Sequence, residues 1–249
     1  MASLKTIVEY CNMLLAVDTF KDYAPNGLQI EGREEVQCIV AGVTASEALI
    51  DAAIEHNADL LLVHHGYFWQ GEDPCLVGMK GRRIRKLIKN NMSLVGYHLP
   101  IDAHHVYGNN IQLAERFGIT VESSLDKQGV GNIGHLKNSM SLVSFSERVA
   151  TQLSRQPLVI SGGSHPVSKI GWCSGGAQKY LTQAAAMGVD TFLSGEISEN
   201  TVHEARELGV HYISAGHHAT ERYGIQSLAS HLSVEFNIAH YFVDIDNPV

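Results

Sequence analysis

Apolar positions at the start of the chain recur at helical spacing. Leu4, Ile7, Val8, Cys11, Leu14 and Leu15 share a face, and Glu9 interrupts any continuous apolar run. The stretch DYAPNGLQIEG (22–32) then reads as a turn, because Pro25, Asn26 and Gly27 punctuate it. Two later passages change period. CIVAGV, TASEALIDAAIEHNA and DLLLVHH read as strand, alanine-rich helix and strand, and so do KIGWCS, GGAQKYLTQAAAMGV and DTFLSGE. Overlaid without a gap, Cys38 falls on Lys169, Ala53 on Ala184, Asp59 on Asp190, Leu62 on Leu193 and His65 on Glu196. Two unrelated strand–helix–strand units can match this way by chance. A second correspondence adds weight: each passage is followed by a short strand and a His-x3-acid pair, His98 with Asp102 in SLVGYHLPID and His217 with Glu221 in YISAGHHATE. Helical stretches follow both pairs (GNNIQLAERFG and YGIQSLASHL). The expected fold class is α/β, with two internally duplicated lobes, residues 1–125 and 126–249. Between 121 and 168 the periodicity fades, and no elements are assigned there.

Composition changes this picture little. The 249 residues are 45% hydrophobic and 18% charged, as in an ordinary soluble globular protein. A net charge of −8 argues against a surface dedicated to nucleic acid or anionic membrane. The one strongly basic run, KGRRIRKLIK (80–89), has helical spacing with Ile84, Leu87 and Ile88 inward. A solvated helix face is the favoured reading over an anion site. Cys11, Cys38, Cys75 and Cys173 are scattered, with no CxxC pair, as expected of buried thiols in a reducing compartment. No signal peptide or membrane span is expected, which makes the cytoplasm the expected location.

Histidine is the exception. There are fourteen, several in doublets at 64/65, 104/105 and 217/218. Ligand-type residues gather where apolar strands end: His64 and His65, His98 with Asp102, Glu196, and His217 with Glu221. Sites in α/β sheets collect at the carboxyl ends of strands, so these residues can meet although far apart in sequence. Successive strand residues point to opposite faces, so His64 and His65 suit two ions better than one. The ligand set expected is His64, Asp102 and a bridging Glu221 for one ion, and His65, His217 and the same Glu221 for the other. Mixed imidazole and carboxylate ligation fits two divalent ions of zinc, manganese, iron, cobalt or nickel. His98 and Glu196 are the candidates for proton transfer. A strand-end histidine is by default structural, and it is the five together that argue for metal. His104, His105, His203, His211, His231 and His240 are read as surface or supporting residues, and His218 as an open case.

The motifs DYAPNGLQIEG, GVTAS, ADLLLVHHGYFW, GYHLPIDAH with GNN, LSGEIS and GHHATERYG also carry a resemblance. In this order they resemble the type 2 GTP cyclohydrolase I, or Nif-three-like, family, and its YbgI-like branch in particular. The resemblance runs from about Asp22 to the C-terminus and is weak between 121 and 168. It implies a dinuclear metal centre on His64, His65, Asp102, His217 and Glu221, lying between two interlocked α/β lobes. It also implies a ring-shaped homohexamer, a trimer of dimers.

Two classes of function follow. The first is a metal-dependent hydrolase in which a metal-bridging hydroxide attacks a nucleotide or related small molecule; for GTP, the attack would open the imidazole ring at C8 and release formate. The second is a regulatory or scaffold ring, with or without a protein partner, whose metals are structural. The lack of a Walker-type phosphate loop is compatible with it. Metal storage or delivery is a third reading.

Overall fold

The computed structural model of the chain describes residues 2–249. The first part of the chain runs β1 (Ala2–Ser3), α1 (Leu4–Leu14), β2 (Gly27–Ile30), β3 (Glu35–Val36), β4 (Cys38–Thr44), α2 (Glu47–Glu55), β5 (Leu60–His65), α3 (Gly78–Lys89), β6 (Ser93–Gly96) and α4 (Leu99–Ala103). Ser3 caps α1 through a hydrogen bond from Thr6 N, and Leu4, Ile7 and Cys11 are its buried stripe. Ser46 caps α2 in the same way. β4 and the apolar part of β5 are buried on both faces, which is why they read as continuous apolar runs rather than alternating ones. On α3, Ile84 and Leu87 are buried, but Ile88 is 60% exposed and does not face inward. Lys86 of the basic run is held by Glu47 and Asp51, so part of its charge is neutralised locally.

The chain continues with α5 (Asn109–Phe117), β7 (Ile119–Ser124), β8 (Asn132–Met140), α6 (Leu142–Leu153), β9 (Leu158–Ile160), β10 (Val167–Trp172), α7 (Leu181–Ala186), β11 (Thr191–Ser194), α8 (Glu199–Leu208), β12 (His211–Ser214), the twenty-residue α9 (His217–Phe236) and β13 (Ala239–Phe242). The segment from 121 to 168 thus holds most of β7, all of β8, α6 and β9, and the start of β10.

Contacts divide this mixed α/β chain into two units. One comprises the residues up to Ile101 together with Gly224–Asp246, the other Asp102–Tyr223 with Asn247–Val249. The sequence pattern suggests a division near residue 125. The observed divisions lie inside α4 and α9, because β13 pairs in parallel with β4 and so ties the end of the chain to the first sheet.

The first unit's five-stranded sheet has the order β13-β4-β5-β6-β2, with β4, β5 and β6 parallel and β2 antiparallel at the edge. The second unit's six-stranded sheet has the order β7-β8-β10-β11-β12-β9, with β10, β11 and β12 parallel and β9 antiparallel at the edge. The core of the first packs Val40, Leu49, Ile50, Leu61, Leu87 and Leu94 around its sheet. The second has one cluster around Phe117, Phe145, Trp172 and Leu193 and another around Leu181, Phe192 and Tyr212.

One detail is the same in both sheets. Asp59 accepts hydrogen bonds from the backbone N–H groups of Gln37 and Cys38, at the start of β4. Asp190 accepts them from Ser168 and Lys169, at the matching point of β10. The registers Ile39↔Leu60 and Ile170↔Thr191 follow the same gapless overlay as the sequence.

Candidate metal centre

In the first unit, His64 and His65 end β5, and His98 follows β6. Their candidate ligand atoms all lie within 4.8 Å of one another. The rings of His64 and His65 approach to 4.4 Å, and His64 and His98 to 5.1 Å. Alternation along a strand governs the Cβ directions. At the last residues of a strand, the ring tips can still converge, and here they do.

Each of these rings is held through Nδ1. His64 Nδ1 donates to the carbonyl oxygen of Tyr97 at 2.9 Å. His98 Nδ1 donates to Asp22 at 2.8 Å, and His65 Nδ1 lies 3.1 Å from Thr44 Oγ1. For His64 and His98, committing Nδ1 to an acceptor puts the lone pair on Nε2, the tautomer a metal-binding imidazole needs. The DYAPN turn supplies much of this support. Asp22 also accepts from Leu99 N, Ala24 N and Asn26 Nδ2, while Asn26 Oδ1 accepts from His98 N. Burial by itself would raise the Asp22 carboxyl, but the hydrogen bond and charge of His98, with the Asn26 and Ala24 donors, bring it down to about 2.

In the second unit, Asp102 sits in α4, while His217 and Glu221 lie one turn apart at the start of α9. Asp102 is 4% exposed and Glu221 3%, and carboxylate oxygens of the two lie within 4.8 Å of each other. His217 Nε2 is 3.0 Å from Glu221, and its Nδ1 is 2.6 Å from Glu196 Oε1. Burial would lower the His217 pKa, but Glu221 and then Glu196 outweigh it and push it up to about 9. Two buried carboxylates this close require a positive charge between them. The proton on His217 can supply it, and so can a divalent cation.

The second unit also builds supports for these side chains. Asp102 accepts from Asn109 Nδ2 at 2.8 Å and Ser174 Oγ at 3.0 Å. Asn110 receives the backbone N–H of Ser174 and donates to the Val130 carbonyl. Gly175 carries φ +62°, and a Cβ there would run into the Glu221 carboxylate; its N–H donates to Thr220 Oγ1. A Cβ on Gly195 would come within 2.7 Å of both the Gly175 carbonyl and the His217 backbone, so the LSGE turn needs glycine for close approach.

All the candidate ligands therefore fall into two groups: His64, His65 and His98 in the first unit, and Asp102, His217 and Glu221 in the second. Glu196 stands against His217 as its hydrogen-bond partner. Sequence reasoning missed Asp22, Thr44, Asn109 and Ser174 as supports. The sequence did mark Asp22 and Asn109, through DYAPNG and GNN, but nothing in a pattern says which histidine or carboxylate such residues will meet. Among the others, His211 is buried, receiving Gly162 N on Nδ1 and donating from Nε2 to the His165 carbonyl, a structural role rather than a surface one. His231 pairs with Tyr10 at 2.6 Å. No candidate ligand cluster among the described residues includes His218. Among the described residues, no helix is long and apolar enough to cross a membrane.

Several known proteins are similar to this chain. The chain is 51% identical over 249 residues to a Pseudomonas aeruginosa protein named GTP cyclohydrolase 1 type 2 homolog, covering 99% of this chain and 98% of that one. Among solved structures, the protein ybgI, of unknown function, matches with a TM-score of 0.96 at 44% identity, over 100% of both chains. A protein from Thermus thermophilus matches with a TM-score of 0.91 at 33% identity, also over 100% of both. The pattern described as Duf34/NIF3 (NGG1p interacting factor 3) matches residues 2–248, and the chain belongs to that family.

Proposed function

We propose that the protein is a dinuclear metal-dependent hydrolase, acting on a nucleotide or a related small molecule. In this reading the two units are related lobes. Matching aspartate clamps at Asp59 and Asp190, in matching registers, support the relation between the lobes. His64, Asp102 and Glu221 hold one divalent ion, and His65, His217 and Glu221 the other. The observation that carries the reading is the pair of buried carboxylates, Asp102 and Glu221, within 4.8 Å of each other and next to His217. Such a pair is a costly arrangement without a cation and a natural one with it.

When bound, the ions supply Lewis acidity, polarising an electrophilic centre and acidifying water. The chain's own residues do the rest. Glu196 fixes the His217 ring through Nδ1, Tyr97 fixes His64, and Asp102 is locked by Asn109 and Ser174. His98, with Nδ1 tied to Asp22, presents Nε2 as the atom that can carry a proton to or from substrate. Glu196 serves better as the positioning partner of His217 than as a shuttle, because one of its oxygens is committed at 2.6 Å. The name of the Pseudomonas relative, a GTP cyclohydrolase 1 type 2 homolog, supports a purine nucleotide as the substrate to screen first. A cytoplasmic homohexamer, a trimer of dimers, completes the proposal. Exposed Leu76, Val77 and Met79 are suited to contacts between copies.

The test is elemental analysis of protein purified without chelator. About two transition-metal ions per chain are expected. Glu221→Ala should lose both, and His64→Ala or His65→Ala mainly one. Equal retention in all three variants would sink the ligand set.

A further inference from the structure

Beside the first unit's histidines stand two aromatic rings that the metal chemistry does not use. Tyr23 is 55% exposed, a large ring left in solvent, and Trp69 is half-buried. Their centroids lie 5.6 Å apart with the planes tilted by 35°. Both meet His98 edge-on, Tyr23 at 5.0 Å and Trp69 at 5.1 Å, and Trp69 lies 5.8 Å from His65.

The two rings sit on different loops, and the backbone stitches those loops together. Gln70 N donates to the Tyr23 carbonyl at 2.8 Å, and Tyr67 N donates to Gln29 Oε1 at 2.8 Å. The indole is fixed as well. Trp69 Nε1 donates to the Gly66 carbonyl at 3.1 Å and Trp69 N to Glu72 at 3.1 Å. Phe68, just before it, takes φ +66°, a conformation a bulky residue adopts only when its surroundings impose it, and such residues cluster at functional sites. An exposed tyrosine and a half-buried indole, the latter following a strained backbone position, stand next to candidate reactive imidazoles and are suited to receive something flat.

We propose that Tyr23 and Trp69 form a stacking platform for a planar heteroaromatic ring of the substrate, next to His65 and His98. The proposal rests on the hydrolase reading for its catalytic meaning, and it names the substrate class: a molecule carrying a base-like ring rather than a purely aliphatic or sugar phosphate. Electron-rich tyrosine and indole faces favour such a ring, and stacking of this kind tolerates differences between bases. Recognition of the ring by hydrogen bonds would be the task of other residues.

The chain offers its own reporter. Its two tryptophans differ in environment: Trp69 is half-buried, whereas Trp172 is fully buried with Nε1 donating to the Asn110 carbonyl. Guanosine monophosphate, titrated into the metal-loaded protein, is expected to quench tryptophan fluorescence saturably, and Trp69→Phe should abolish the change. Ribose 5-phosphate, which keeps the phosphate and lacks the base, should give none. Tyr23→Ala and Trp69→Ala should each weaken binding about tenfold, read by calorimetry, with metal content and melting temperature held. Quenching in a protein that proves to hold no metal would support the platform and remove the hydrolase reading, so the two fail separately. An unchanged signal with guanosine monophosphate, an equal response to ribose 5-phosphate, or wild-type affinity in both alanine variants would overturn the platform. A change of native mass in Tyr23→Ala with nucleotide affinity unchanged would overturn it in favour of a contact between copies.

Discussion

Gly175 shows how narrowly single residues are set around the candidate ligands. Its φ of +62° disfavours any side chain, and the space a methyl would take is already occupied by the Glu221 carboxylate. Gly175→Ala is therefore expected to displace Glu221, reducing bound metal to below half the wild-type content and lowering the melting temperature. Elemental analysis with thermal denaturation checks both, and full metal retention would contradict the close approach. Asp22 gives a prediction in pH. Its carboxyl is lowered from 3.8 to about 2 in the folded chain, so its stabilising contribution is complete above the unfolded value and is lost as pH falls through 2. In metal-stripped protein, the stability gap between wild type and Asp22→Asn should be flat above about pH 5 and close between about pH 4 and about pH 2. A gap that persists to about pH 2 would show that the Asp22–His98 bond is not the cause. At this scale the sequence marks the candidate ligands and says little about their partners. His64, His65, Asp102, His217 and Glu221 are marked as candidates by residue type and by lying at the end of a strand or in the helix that follows one. Apart from Glu196 beside His217, their supports are an asparagine, a serine, a threonine and a backbone carbonyl, groups too common to be distinguished until folding brings them together.

Among the elements, the parallel strands depend on Asp59 and Asp190 at their entry points. Asp59 is buried and accepts from Arg33, Gln37 N and Cys38 N, so its removal leaves two backbone donors and a guanidinium without their anion. Asp59→Ala is expected to cost about 3 kcal/mol, and Asp190→Ala, at a less buried position, about 2 kcal/mol. Urea denaturation measures both, and losses under about 0.5 kcal/mol would place the strand starts under other control. Both strand–helix–strand passages were legible, because alanine-rich helices between apolar strands carry two distinct periods. The segment from 121 to 168 has no elements assigned from the sequence, although one of its helices is marked there. α6 carries its own signal, with Phe145, Val149, Ala150 and Leu153 on one buried face behind the Ser141 cap. β8 does not: NIGHLKNSM lacks a clean alternation, and its strand state comes from pairing with β7 and β10 rather than from its own residues.

For the whole molecule, the path of the chain matters more than its composition. Pairing of Ala239 with Cys38 joins positions about two hundred residues apart, a non-local closure that no window of sequence announces. It also sets an order of assembly. During synthesis, the uninterrupted stretch Asp102–Tyr223, the bulk of the second unit, emerges while the first sheet still lacks its last strand. Until β13 arrives, one side of β4 is an open edge able to pair with a neighbouring nascent chain. A chain ended after Asn237 should therefore keep slow amide exchange in β10, β11 and β12, lose it in β4, and form aggregates at concentrations where the full chain stays clear. Equal protection of β4 in both chains would contradict this. The final strand thus acts as a completion signal: a ribosome released early leaves behind a polypeptide that carries every candidate ligand residue, yet cannot seal the sheet on which His64 and His65 depend.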